Sequence, residues 1–287
     1  MTASAASRVE IVRDVASLRA RLAEWRRAGE TISLVPTMGA LHAGHISLVV
    51  EAKKHARRVV MSIFVNPAQF APSEDFCSYP RSFEADAALF ADAEGDLIFA
   101  PSVEAMYGEG FAPTISLAGP AAVGLEDRFR PGHFAGVATI VAKLLNQCRP
   151  DVAIFGEKDF QQLKVVTRMA RDLDFETGIL GAPTVRDADG LALSSRNIFL
   201  SAKERALAPC LHAALRRCAH DINDGVAIET ALDTARAAIA AVGFFMDYFE
   251  ARHAETLCPI ASRGEGPIRL LAAARLGKTR LIDNIAV

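Results

Sequence analysis

A chain of 287 residues, 51% hydrophobic and 23% charged, can bury a sizeable core, and its length points to two domains or one large one. Thirty-two Lys and Arg against 34 Asp and Glu leave a net charge of −2, which argues against a dedicated nucleic-acid binder but does not exclude a local phosphate pocket. Five scattered cysteines (Cys77, Cys148, Cys210, Cys218 and Cys258) without a C-x-x-C pair read as reduced thiols, not as a disulfide frame or a zinc site.

The N-terminal run MTASAASRVEIVRD carries charge from Arg8 and lacks an apolar segment, so no signal peptide is expected. No apolar run approaches the ~18 residues of a membrane-spanning helix. A cytoplasmic globular protein is the expectation. Asp14 can cap a helix whose apolar series is Val15, Leu18, Leu22 and Trp25, ending at Gly29. Ile32 to Val35 reads as a buried strand halted by Pro36, residues 45–58 as a helix, and Val59 to Val65 as a second strand. That βαβ unit implies a parallel sheet with a right-handed crossover. The pattern recurs: helix over 82–94 and strand at 97–100, helix over 134–148 and strand at 152–155, then helix over 159–173 and an extended stretch to Val185.

From Ser201 to Val242 two Ala-rich helical patterns run back to back, broken near Asn223-Asp-Gly225, and three β-type runs come after them at 245–250, 268–273 and 280–285. The expected fold class is α/β: a Rossmann-like open parallel sheet with a second, smaller α+β C-terminal domain. The turn Asp187-Ala-Asp-Gly190 breaks the pattern, so the domains are set at 1–184 and 185–287.

Several tempting motifs fail. Gly277-Lys278-Thr279 lacks the upstream P-loop glycine, since position 272 is Ala, and it precedes a strand. Gly108-Glu-Gly110 lacks the third glycine of a dinucleotide fingerprint, and neither H-E-x-x-H nor G-x-S-x-G occurs. What survives is PTMGALHAGH at 36–45, after the first α/β strand and before a helix, where such sheets place ligands. Gly39 and Gly44 allow close backbone approach to a phosphate, the helix end favours an anion, and His42 and His45 stand three apart on one side of a helical first turn. A bare H-x-G-H is equally well read as a turn with two surface histidines. Leu193-Ser-Ser-Arg196 offers two hydroxyls and a guanidinium to phosphates, although by itself it reads better as a helix N-cap with an exposed arginine. Phe155-Gly-Glu-Lys-Asp-Phe160 places Lys158 at a strand end. Together the three segments point to an ATP site.

The runs PTMGALHAGH, FVNPAQF, EDFCSYPR, GEKDFQQ, DGLALSSRN and ARLGKTRLIDNI, in order from residue 36 to 285, resemble the pantothenate synthetase (pantoate–β-alanine ligase) family, within the H-x-G-H nucleotidyltransferase superfamily. The resemblance implies that ATP and pantoate form pantoyl adenylate and pyrophosphate, and that β-alanine then attacks the adenylate to give pantothenate and AMP. AMP supplies the leaving group that a free carboxylate lacks, and no covalent enzyme intermediate is needed. By the same resemblance Met38, Gly39, Ala40, Leu41, His42, Ala43, Gly44 and His45 line the ATP phosphates, with His45 the main catalytic histidine and His42 assisting. Gly156, Glu157, Lys158 and Asp159 add ATP contacts, Lys158 on phosphate and Asp159 nearer the ribose; Val185 touches adenine; Leu193, Ser194, Ser195 and Arg196 close over the phosphates. Lys158 and Arg196 thereby join the catalytic set.

The resemblance further implies that Gln69 and Gln162 hold pantoate, that Gln69 lies near β-alanine too, and that Asn66 and Tyr79 support that pocket. An amide suits pantoate because it both donates and accepts. Mg²⁺ is implied on the ATP phosphates, with no protein ligand assigned beyond the weak candidates Glu84 and Asp86. A lid role for the small domain and a homodimer are likewise implied. His253 stands where an acidic residue is expected, and Cys77 is incidental. The competing readings are another H-x-G-H adenylyltransferase acting on a nucleotide or cofactor precursor, a tRNA-binding module, and an inert scaffold.

Overall fold

The computed structural model describes residues 9–72, 74 and 76–287. The first eight residues of the N-terminal run, and Asp75 of EDFCSYPR, lie outside the described residues. The strands are β1 (Glu10–Val12), β2 (Ile32–Thr37), β3 (Arg58–Ile63), β4 (Leu97–Phe99), β5 (Val152–Gly156), β6 (Gly178–Ala182), β7 (Phe245–His253), β8 (Ile268–Leu276) and β9 (Thr279–Ala286). The helices are α1 (Val15–Arg27), α2 (Ala43–His55), α3 (Phe83–Asp92), α4 (Val103–Met106), α5 (Glu126–Phe129), α6 (His133–Cys148), α7 (Phe160–Asp172), α8 (Ala202–Leu207), α9 (Cys210–Asn223) and α10 (Ile228–Val242).

The chain divides into two compact units. The first holds the chain up to Leu117 with Arg130–Gly156 and Val165–Ala182; the second holds Ala118–Phe129, Glu157–Lys164 and Pro183–Val287. The sequence pattern places a single boundary, after residue 184. The chain instead changes unit at Ala182/Pro183, and two earlier segments also group with the C-terminal unit. The reason for the first of these is a buried charge network that no periodicity reveals. Glu126 accepts from both terminal guanidinium nitrogens of Arg280 (2.7 and 2.8 Å) and from the Tyr248 hydroxyl (2.8 Å). Arg280 also donates to Asp247.

In the first unit six parallel strands lie in the order β1-β4-β3-β2-β5-β6. Asp14 caps α1 as expected, accepting from the Ser17 amide at 2.8 Å, and Leu18, Leu22 and Trp25 form the helix's buried stripe. The three-residue β1 was not anticipated, because it is too short to carry a period-2 signal. Strand order reverses at β2, which has β3 on one side and β5 on the other. The carboxyl ends of β2 and β5 therefore flank the topological switch point, where open α/β sheets bind ligands.

The second unit packs α9 and α10 on the antiparallel sheet β7-β8-β9. Leu211, Leu215 and Ile222 of α9 and Leu232 and Ile239 of α10 join Phe249 and Leu270 in one core. No helix among the described residues is long and apolar enough to cross a membrane.

Phe90 is fully buried, and a Cβ built on Gly95 would lie 2.0 Å from its ring, so the ring packs directly on backbone that only glycine leaves open. Phe90→Ala should cost about 3–5 kcal/mol through the cavity it leaves. Urea denaturation measures this; a loss below about 1 kcal/mol would show that the site collapses around the missing ring.

Candidate active site

The loop from β2 to α2 carries the PTMGALHAGH residues. Gly39 and Ala40 both sit in left-handed backbone, at φ 79° and 52°, a conformation that costs an alanine energy and needs compensation. Asp86 of α3 supplies it: one carboxylate oxygen accepts from Ala40 N (2.9 Å) and the other from Leu41 N (2.8 Å), while Ser82 Oγ donates to the latter oxygen. Gly39 lies so close that an added Cβ would stand 2.9 Å from Asp86 Oδ2. Thr37 Oγ1 ties the end of β2 to the Ser62 carbonyl and accepts from Gly39 N.

α2 begins at Ala43, two residues before the expected start, because His42 is its N-cap. His42 Nδ1 accepts from Gly44 N (3.1 Å), and His42 N donates to His45 Nδ1 (3.3 Å), an all-histidine capping box. The rings are 4.1 Å apart, so the two imidazoles do stand together. Each Nδ1 accepts from backbone, which assigns the proton of the neutral rings to Nε2.

Asn66 and Gln69 lie on the 3₁₀ turn that comes after β3. Asn66, 1% exposed, donates to Gln69 Oε1 (3.0 Å) and to the Gly136 carbonyl (3.2 Å) and accepts from Tyr107 Oη (2.6 Å). Gln69 Nε2 donates to Met38 Sδ (3.2 Å), bringing the expected pantoate amide onto the expected ATP loop. Burial pushes the Tyr107 phenol up to about 12, so it remains a donor. The Gln69 carbonyl meets His133 Nδ1 at 2.9 Å, and His133 Nε2 meets Arg130, whose guanidinium grips Glu74 at 2.7 and 2.9 Å. Burial pushes the Glu74 carboxyl up, but Arg130 outweighs it and holds the group below its ordinary value. Tyr79 is buried with its ring edge-on to Phe70. A cavity of about 260 Å³ is lined by Met38, Gly39, Phe64, Arg81 and Asp86 among others.

Sequence reasoning missed Tyr107, Arg130 and His133. The available signal was the polar opening Arg130-Pro-Gly-His133 before the otherwise apolar α6.

In the second unit Glu157, Lys158 and Asp159 form a 3₁₀ turn leading straight from Gly156 into α7. Arg269 takes the Glu157 carboxylate (3.1 Å), and Lys158 Nζ lies 3.7 Å from Asp159. The neighbouring glutamines divide. Gln161, 3% exposed, accepts from Glu126 N and donates to Pro120 O and Asp127, whereas Gln162 is half-buried. Val185 and Leu193 pair through Leu193 N to Val185 O (3.0 Å), across a hairpin whose turn holds Gly190 at φ 94°. Ser194 caps the 3₁₀ turn Ser195–Phe199 by accepting from Arg196 N (3.3 Å), the N-cap role that the segment's sequence favours.

Of the two weak metal candidates, Asp86 has both oxygens committed to backbone amides. No group of three or more His, Cys, Asp or Glu among the described residues is arranged to hold a metal ion.

Residues 10–286 match the family model described as pantoate-beta-alanine ligase. The pantothenate synthetase of Rhodopseudomonas palustris is 60% identical over 277 residues, 96% of this chain and 98% of that protein. Pantothenate synthetase 2 of Bradyrhizobium diazoefficiens is 59% identical over the same shares. The crystal structure of pantothenate synthetase from Thermus thermophilus superposes with a TM-score of 0.91 at 47% identity, covering 96% of this chain and 99% of that one. That of the pantoate-beta-alanine ligase from Francisella tularensis, complexed with beta-gamma ATP and beta-alanine, does so with a TM-score of 0.82 at 32% identity and 97% of both chains.

Asp86→Ala should strand the Ala40 and Leu41 amides at a cost of about 1–3 kcal/mol. Hydrogen exchange at these two amides should speed up sharply while the β2 amides keep their protection. Equal exchange in both proteins would show that the loop holds its shape without the carboxylate.

Proposed function

The chain belongs to the pantoate-beta-alanine ligase family, and we propose that it condenses pantoate with β-alanine to pantothenate, using ATP and passing through an enzyme-bound pantoyl adenylate. A pantoate carboxylate oxygen bonds to the α-phosphorus of ATP as the bond to pyrophosphate breaks. The β-alanine amine then bonds to the acyl carbon, the bond to AMP breaks, and the amine gives up a proton. One observation carries this reading: the H-x-G-H loop stands at the carboxyl end of β2, beside the strand-order reversal, with its two imidazoles together at the N-terminus of α2.

Such a helix end carries partial positive charge and favours phosphate. With both Nδ1 atoms accepting from backbone, the Nε2–H groups are the donors suited to charge developing at the α-phosphate. We assign ATP to Met38, Gly39, Ala40, Leu41, His42, Ala43, Gly44, His45, Gly156, Glu157, Lys158, Asp159, Val185, Leu193, Ser194, Ser195 and Arg196, with Lys158 and Arg196 neutralising phosphate. Gln69 and Gln162 take pantoate, supported by Asn66 and Tyr79. Gln69 is preset by Asn66, so its amide meets the acid in one orientation. Mg²⁺ accompanies ATP on its phosphates, with few protein ligands, as is usual for this ion. The enzyme works as a cytoplasmic homodimer, without nucleic-acid partners; light scattering of the purified chain tests the dimer.

A coupled assay tests the function: AMP should appear when ATP, pantoate and β-alanine are all present. Pyrophosphate release with pantoate should not be matched by any nucleotide monophosphate. His45→Ala should lower pantoyl-adenylate formation by about 10²–10³ while ATP affinity changes much less. Near-normal adenylation by that variant would reduce His45 to a helix cap. Gln162→Ala should weaken pantoate binding by about 1–3 kcal/mol and leave ATP binding intact, read by calorimetry. Gln161→Ala should instead lower stability, since it removes three hydrogen bonds, two of them buried. Equal loss of both ligands in Gln162→Ala would mean a folding defect.

A further inference from the structure

We propose that Asn284 is the positioning residue that aims Lys158, an inference that rests on the assignment of Lys158 to phosphate. Asn284 lies on β9, 3% exposed, far from Lys158 in sequence. Its amide nitrogen donates to the backbone carbonyls of both Glu157 and Lys158, each at 2.9 Å. Those two carbonyls belong to the peptide planes on either side of the Lys158 α-carbon. Holding both planes fixes φ and ψ of Lys158, and with them the direction of its Cα–Cβ bond.

A lysine ammonium is a point charge on a flexible four-carbon stem, so the base of the stem is the part a protein can aim. The clamp is itself braced. Arg269 Nε donates to Asn284 Oδ1 at 2.7 Å, the same guanidinium reaches the Glu157 carboxylate, and it stacks over the Phe160 ring at 4.2 Å. Every polar position of the Asn284 side chain is thereby used: two donors on two carbonyls and one acceptor on Arg269. The preceding residue, Asp283, is gripped by both terminal nitrogens of Arg186 at 2.7 and 2.8 Å, which anchors this part of β9. An asparagine placed merely to fill space would not need two successive carbonyls of one turn.

The test is a double-mutant cycle in the full-length protein, with kcat, KM for ATP and KM for pantoate read from AMP production. Asn284→Ala should lower kcat by about 10- to 100-fold, the loss typical of a misplaced catalytic group. Asn284→Asp keeps the shape and the Arg269 contact but has no N–H for the carbonyls, so it should be as defective as Asn284→Ala. In a Lys158→Ala background the Asn284→Ala change should cost less than about 2-fold, because the side chain it aims is gone. Thermal melts accompany each variant, and Asn284→Ser replaces Asn284→Ala in the cycle if the alanine protein aggregates.

A near-normal Asn284→Asp enzyme, or losses that multiply in the double mutant, would overturn the positioning role while leaving the proposed reaction intact. A fully active Lys158→Ala enzyme would remove the premise and this inference with it. A wild-type protein that makes no AMP from the three substrates would overturn the proposed reaction itself.

Discussion

Asp86 gives its two carboxylate oxygens to the amides of Ala40 and Leu41, on either side of an alanine at φ 52°. A left-handed pair such as Gly39-Ala40 has no regular structure of its own to hold it, so its shape must come from outside the loop. Charge-assisted bonds to a buried carboxylate are among the strongest devices available for that purpose. The rest of the candidate site in the first unit depends on this clamp. With the loop fixed, Met38 lies against Gln69, and the chain reaches His42 in the extended conformation an N-cap requires. The cap then sets both imidazole orientations. Gly39 is the counterpart of Asp86, since a side chain there would press on the carboxylate it depends on.

A second layer of fixed groups surrounds the candidate acid site. Asn66 is saturated by Tyr107, Gln69 and the Gly136 carbonyl, and Gly136 lets α6 approach so closely that a Cβ would lie 2.2 Å from the Ala68 carbonyl. The turn bearing Gln69 is thus pressed onto a helix from one side and hydrogen-bonded from the other. Presetting an amide in this way spares the ordering cost that a mobile side chain incurs when a ligand binds. Under the proposed reaction, neutral amides would leave the acid's carboxylate free as a nucleophile, where an arginine in their place would hold it in an ion pair.

The parallel sheet was legible in the sequence because its signals are local: Asp14 before an apolar helical stripe, the buried run from Ile32, and the glycines Gly29 and Gly95 ahead of new strands. Pro36 does not halt β2 as that pattern implies, since the strand runs on to Thr37 with Pro36 and Thr37 paired to Ser62 and Ile63. The C-terminal strands read equally well, although β7 runs on to His253 where the pattern stopped at Glu250. The H-x-G-H loop was legible as a motif, but not the reason for its shape. Asp86 stands 46 positions from Ala40, and nothing in PTMGALHAGH announces that partner. The grouping of residues 118–129 with the second unit was invisible for the same cause, resting on Glu126 meeting Arg280 across 154 positions. Gln161 and Gln162 look interchangeable in sequence and differ wholly in environment, a distinction made by tertiary packing.

The two units solve the same problem with opposite chemistry. In the first, a carboxylate accepts from the two N–H groups that flank Ala40; in the second, an amide donates to the two C=O groups that flank Lys158. Each device fixes the two dihedral angles of one residue in a short turn, where no ladder of backbone hydrogen bonds does so. Which backbone groups face inward decides the side chain: inward N–H groups need an acceptor, inward carbonyls a donor. Electrostatics then separates the two cases further. Under Lys158, a carboxylate would set its charge against two carbonyl oxygens, and an added lysine would crowd two ammonium groups together. The neutral amide holds the turn without altering the charge of the lysine above it. Under Ala40 and Leu41, the negative charge of Asp86 is met by two amide dipoles, so the loop above it can still take an anion.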